Sequence, residues 1–178
     1  MNATQVKNRA IRYYADATDE QRVQGERWYW DATDKIDTML HKADDPVNYR
    51  EAARMAAILS PRCRWDRNLK ALEQVLNGEK VTIPGILHRS IKLAESVKEG
   101  RWGLSGPKVT QFYKALIGDE DAVPVDSWMS KAFGGNGAPR AKEHKSIQAG
   151  IRRAALELDI SPRTLQATVW VVVRGRSE

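Results

Sequence analysis

A single cysteine, Cys63, stands in the 178 residues, which excludes an internal disulfide, a four-cysteine iron–sulfur site and a cysteine-built structural zinc site. Histidine is nearly as scarce. His41, His88 and His144 are isolated from one another, so no metal is expected. No apolar run approaches the roughly 20 residues of a membrane span, and the start, Met1-Asn2-Ala3-Thr4-Gln5, lacks the charged and apolar regions of an export signal. The expectation is a cytoplasmic monomer with no membrane partner. Strand signals are almost absent as well, and with them the expectation of a sheet.

What is present is an ordinary globular composition, 42% apolar and 29% charged, with a net charge of +6. The charge is unevenly spread. Residues 1–60 carry nine Lys/Arg against ten Asp/Glu, whereas residues 61–178 carry twenty against thirteen. A basic excess in the later two-thirds of the chain suits a polyanionic partner. Apolar residues recur at helical spacing, with glycine, proline and capping residues between them, so the chain reads as all-α and as one folding unit.

Helices are expected over 4–16, 18–41, 47–59, 65–77, 84–99, 108–117, 126–133, 139–158 and 161–174. Thr18 is placed as an N-cap and Asp44-Asp45-Pro46 as a helix break. The run 52–59 looks like a buried central helix, and Pro84 is placed in a helical first turn. Val169-Trp170-Val171-Val172-Val173 is β-branched, yet Ser161-Pro162 ahead of it is a good helix start, which favours helix. Trp28, Trp30, Trp128 and Trp170 are expected mainly in the core.

The segment that carries chemistry is Arg101-Trp102-Gly103-Leu104-Ser105-Gly106-Pro107-Lys108. Two glycines three apart between helix signals make a tight hairpin, whose backbone can approach a ligand closely and offer N–H groups to a phosphate. An ordinary helix–helix turn is the plainer alternative. Asp126 follows Lys108 by 126 − 108 = 18 residues, after Val123-Pro124-Val125 and ahead of Ser127-Trp128-Met129. Taken alone, it is an N-cap.

Together the two segments resemble the helix-hairpin-helix DNA glycosylase superfamily, in which a Gly-rich hairpin ends in a lysine and a Val-Asp pair opens a later helix. Leu104-Ser105-Gly106-Pro107-Lys108 and Val125-Asp126-Ser127-Trp128 carry the resemblance, over roughly 58–133, with Ile58-Leu59-Ser60-Pro61 similar to the start of the family's base-pocket helix. It implies a compact member without the iron–sulfur cluster: an all-α fold of two small helical layers with a cleft between them. Some such proteins are phage-encoded, which would place this one in the host cytoplasm.

The implied activity is base excision from DNA. Lys108 would attack the sugar C1′ and Asp126 would support the developing positive charge, roles that need a neutral amine and a fixed carboxylate. No cofactor is implied, although a monovalent cation at the hairpin is compatible with the family. Gly103, Leu104, Ser105 and Gly106 would meet the DNA backbone, together with Lys131, Arg140, Lys142 and Lys145. Arg62, Arg64, Trp65 and Asn68 are candidates for the base pocket, by stacking and edge recognition. His144, Arg152 and Arg153 extend the basic stretch. A non-enzymatic DNA-binding or adaptor protein, and an enzyme of base modification on the same fold, stay open as alternatives.

Overall fold

The structure is a computed structural model describing residues 1–43, 47–101, 103–104 and 106–175. Asp44, Asp45, Pro46, Trp102 and Ser105 lie outside the described residues. Among the described residues the elements are all helices: α1 (Ala3–Asp16), α2 (Asp19–Leu40), α3 (Tyr49–Leu59), α4 (Trp65–Leu76), α5 (His88–Lys98), α6 (Gly106–Leu116), α7 (Ser127–Ala132), α8 (Ala141–Leu158) and α9 (Pro162–Arg174). None of them is long and apolar enough to cross a membrane.

Local chemistry sets the helix ends. Asn2 and Gln5 exchange backbone and side-chain hydrogen bonds in a capping box at α1, Thr18 and Gln21 do the same at α2, and Asn48 and Glu51 at α3. Ser161 caps α9 with Pro162 in its first turn, so the β-branched run 169–173 is helical. α5 starts later than expected. Pro84 belongs to a turn rather than a first helical turn, because Gly85 behind it has φ +87° and the helix begins only at His88.

The chain divides into two compact units. One comprises Met1–Tyr29 and the chain from Gly118 onward; the other is Trp30–Ile117. In the first, the terminal unit, α1 packs on α8 and α9 over a core of Val6, Ala10, Val125, Met129, Ile147, Ile151, Leu165 and Val169. The α1–α8 approach requires glycine at 150. A Cβ there would lie 2.4 Å from the Val6 side chain and 2.7 Å from the Ala3 carbonyl oxygen.

In the second, the hairpin unit, α3 is the central helix. Every residue from Ala52 to Leu59 is buried, and α4, α5 and α6 pack around it. Met55, Ile58 and Leu59 are each at most 1% exposed, and burying such side chains stabilises by about 1.5–3 kcal/mol apiece. The Tyr49 hydroxyl donates to the Leu116 carbonyl oxygen at 2.7 Å, tying the start of α3 to the end of α6. Two of the four tryptophans expected in the core are exposed instead: Trp30 by 60% and Trp128 by 38%. Helical spacing places a side chain on a face; it does not say that a partner covers that face.

Candidate nucleic-acid interface

The hairpin joins α5 to α6 inside one unit. α5 ends in a Schellman motif: Gly100, at φ +76°, donates its N–H to the Val97 carbonyl, and Arg101 donates to that of Ser96. Gly106 then opens α6 at φ +84°, followed by Pro107. The left-handed glycines of this turn are therefore Gly100 and Gly106. Gly103 does not adopt that conformation; it packs near Leu93, and a Cβ there would sit 3.3 Å from that side chain. Gly103 and Gly106 are exposed, and Leu104 is half-buried.

Lys108, in the first turn of α6, reaches back to the end of α3. Its Nζ donates to Ser60 Oγ at 2.8 Å and to the Ser60 carbonyl oxygen at 3.1 Å, and it lies 5.8 Å from the Phe112 ring centroid. Ser60 Oγ in turn donates to the Ala57 carbonyl at 2.8 Å, so the hydroxyl's lone pairs face the lysine. The same Ser60 carbonyl accepts the Cys63 N–H, closing a β-turn over 60–63. Arg62 sits at the third position of that turn with φ +61°, the left-handed conformation that usually selects glycine.

Around this seat, Arg62 and Arg64 are exposed, and Arg64 Nε lies 3.5 Å from Asp66 Oδ1. Trp65 is buried and meets Phe112 edge-on, with ring centroids 5.8 Å apart. Asn68 is 1% exposed; its Nδ2 donates to the Ala56 carbonyl at 2.9 Å, and its Oδ1 has no partner. Burial pushes the Cys63 thiol above its ordinary value and Asp66 adds to the shift, while Arg67 and Lys108 pull against it. That thiol stays protonated at neutral pH.

Asp126 belongs to the terminal unit, where it is the N-cap of α7. Oδ1 accepts the Met129 N–H at 2.8 Å, and Oδ2 accepts the Trp170 Nε1–H at 3.1 Å. From Trp170 a ladder of cations and rings continues. The Arg174 guanidinium lies 4.5 Å from the Trp170 centroid and 5.4 Å from that of Trp128, whose ring also has Lys131 Nζ at 5.0 Å. Nearby Tyr29 donates its hydroxyl proton to Gln166 Oε1 at 2.7 Å. Burial raises its pKa well above the usual range, Arg163 acting against this and Asp126 with it.

Lys131, Arg140, Lys142 and Lys145 are all exposed on this unit. His144, counted with the same basic stretch from sequence, does not join it. His144 is buried, its Nδ1 unpartnered, and desolvation lowers its pKa against the opposing pull of Glu143, so it is neutral. Arg152 is exposed, with its guanidinium donating to the Asp121 carbonyl at 3.2 and 3.0 Å. Sequence reasoning missed Ser60 as the seat of Lys108, although Pro61 at the second position of a turn was a legible signal, and it missed the Trp170 bond altogether.

These features define an all-helical protein of two compact units, one carrying a glycine hairpin with a seated lysine. Residues 1–177 match the model of a family of unknown function, DUF7178, and the chain belongs to that family. No curated protein and no solved structure matches it.

Proposed function

We propose that this chain is a helix-hairpin-helix DNA-binding protein of the glycosylase type, which excises a damaged or modified base with Lys108 as the amine nucleophile. The observation that carries the reading is the seat of Lys108. A lysine directly behind a left-handed glycine hairpin is drawn back onto Ser60 through two hydrogen bonds instead of extending into solvent. An amine held half-buried by Ser60 beside a glycine turn has a fixed position from which a nucleophile can act. Within the terminal unit, Asp126 is a carboxylate whose two oxygens are held in place by the Trp170 indole and the Met129 amide, and it is the residue to which the resemblance assigns support of positive charge.

Borohydride trapping tests this on duplexes carrying a panel of damaged and modified bases. A covalent adduct that forms with the parent and vanishes in Lys108→Gln supports the nucleophile. A well-folded Lys108→Gln that still excises the base removes it. One observation favours a second reading, a non-enzymatic DNA-binding protein: both Asp126 oxygens are already engaged in holding α7 and α9, which is a complete structural role. That reading predicts hairpin-dependent DNA binding with no adduct on any base of the panel.

A further inference from the structure

Two recesses lie side by side on the terminal unit. One, of about 540 Å³, runs along α1 and is lined by Arg9, Arg12, Tyr13 and Asp16 among others. Its neighbour, of about 370 Å³, lies between the glycine loop and the first turns of α8, with Gly134, Gly135, Arg140 and Lys142 on its walls. Met1 lines both, and Arg9 bridges them: its Nη1 is 4.0 Å from where a side chain at Gly134 would begin.

Cations outnumber carboxylates along this path. Arg12, Arg140 and Lys142 are exposed and make no ion pair among the described residues, and Arg9 lies over the face of Tyr13, 5.9 Å from its guanidinium. Two carboxylates line the path. Glu143, which accepts from the Ser130 hydroxyl and the Arg140 N–H, lines the recess of Arg140 and Lys142, and Asp16 that of Arg9 and Arg12, so four cations stand against two carboxylates.

The loop is bare for a steric reason as well. A Cβ at Gly135 would overlap the Ser130 and Glu143 side chains, each 2.1 Å away, so this wall is built from backbone. A shallow, elongated groove with cations at intervals and a side-chain-free wall suits a repeating anionic polymer better than a compact ligand.

We infer that this groove is a second contact for the phosphodiester backbone of DNA, separate from the hairpin and read without regard to base. The inference rests on the DNA-binding reading above and adds to it the terminal unit's own share of affinity. Arg9 and Arg12 are its new members; Arg140 and Lys142 change from a helix face into one side of a groove. Backbone contacts of this kind release counterions, and each contributes about 0.9 to the slope of log K against log salt.

The test is fluorescence anisotropy of a labelled undamaged duplex across a salt series. It compares the parent, the quadruple variant Arg9→Gln/Arg12→Gln/Arg140→Gln/Lys142→Gln, the singles Arg12→Gln and Lys142→Gln, and Gly106→Asp, with thermal melts to certify folding. The groove predicts a slope shallower by about 2–4 in the quadruple variant and by about 0.9 in each single. Gly106→Asp then weakens binding independently of these. A folded quadruple variant, or folded singles, with the parent's slope would overturn the groove while leaving the hairpin reading intact. Loss of slope in the quadruple variant beside normal binding by Gly106→Asp supports the groove and sinks the hairpin reading. A parent that binds no duplex at low salt ends both. Capture of poly-aspartate through the same four residues, with duplex DNA unbound, overturns the proposal in favour of an acidic protein partner.

Discussion

The indole N–H of Trp170 donates to Oδ2 of Asp126 across 44 residues of chain, at 3.1 Å, so the carboxylate that caps α7 also pins α9. From sequence, asparagine is the natural silent replacement, since it caps a helix about as well as aspartate. The second bond changes that expectation. An amide that keeps its oxygen for the Met129 N–H turns its NH2 toward the indole donor. Asp126→Asn should therefore cost about 1–3 kcal/mol in urea unfolding, and Trp170→Phe in the same chain should recover part of the loss. A silent Asp126→Asn would show that the indole bond contributes nothing.

Gly150→Ala sets two effects of opposite sign against each other. Alanine gains about 1 kcal/mol over glycine in helix propensity, yet its Cβ would stand 2.4 Å from Val6 and 2.7 Å from the Ala3 carbonyl oxygen, where backbone must give way. Overpacking of this kind costs about 1–3 kcal/mol or more. The clash should win, lowering the midpoint of chemical denaturation; an unchanged or raised midpoint would mean that α1 and α8 separate freely.

Arg62→Gly should act the other way. Arg62 holds φ +61° in the turn that seats Lys108, a conformation costing a non-glycine residue roughly 1–2 kcal/mol. Glycine relieves that strain and gives some of it back as unfolded-chain entropy, leaving a net gain of up to about 1 kcal/mol, readable as a Tm raised by a few degrees. If Arg62 contacts DNA, the same variant binds DNA more weakly while being more stable. No merely structural residue would show that combination.

Acid should destabilise the protein in a window set by His144. Burial lowers its pKa in the folded chain below the ordinary value near 6.5, so between those two pKa values the unfolded chain binds the proton more readily. Its contribution is fully present above about pH 6.5 and is lost as pH falls toward the folded pKa. A folded His144→Gln should flatten the stability–pH curve in that interval; an unchanged slope would assign the acid sensitivity to other groups.

Helix ends were legible because their signals are local. Asn2, Thr18 and Asn48 each find Gln or Glu three residues on, and glycines 78, 100 and 175 stand at the far ends with left-handed φ. Pro84 misled because the residue that decides, Gly85, was read as part of the helix. The hairpin's place and the capping role of Asp126 were legible in the same local way.

The site's supports were not. Lys108 and Ser60 are 48 residues apart, and no spacing rule links them. The groove joins Arg9 on α1 to a loop beyond residue 130, a proximity created only when α1 packs on α8. Burial of His144 and exposure of Trp128 depend on which helix covers which face, and periodicity alone carries no such information.

The chain order of the units bears on how the protein is made. The hairpin unit is a continuous stretch, Trp30–Ile117, whereas α1 must wait for α8 and α9. At typical translation rates of about 5–20 residues per second, the interval between emergence of Val6 and of Ile147, its partner in the core, is on the order of ten seconds. During that time α1 presents an apolar stripe that α8 and α9 do not yet cover, while Trp30–Ile117 already has all its residues. Chaperone demand during synthesis should therefore fall on α1 until α8 and α9 have emerged.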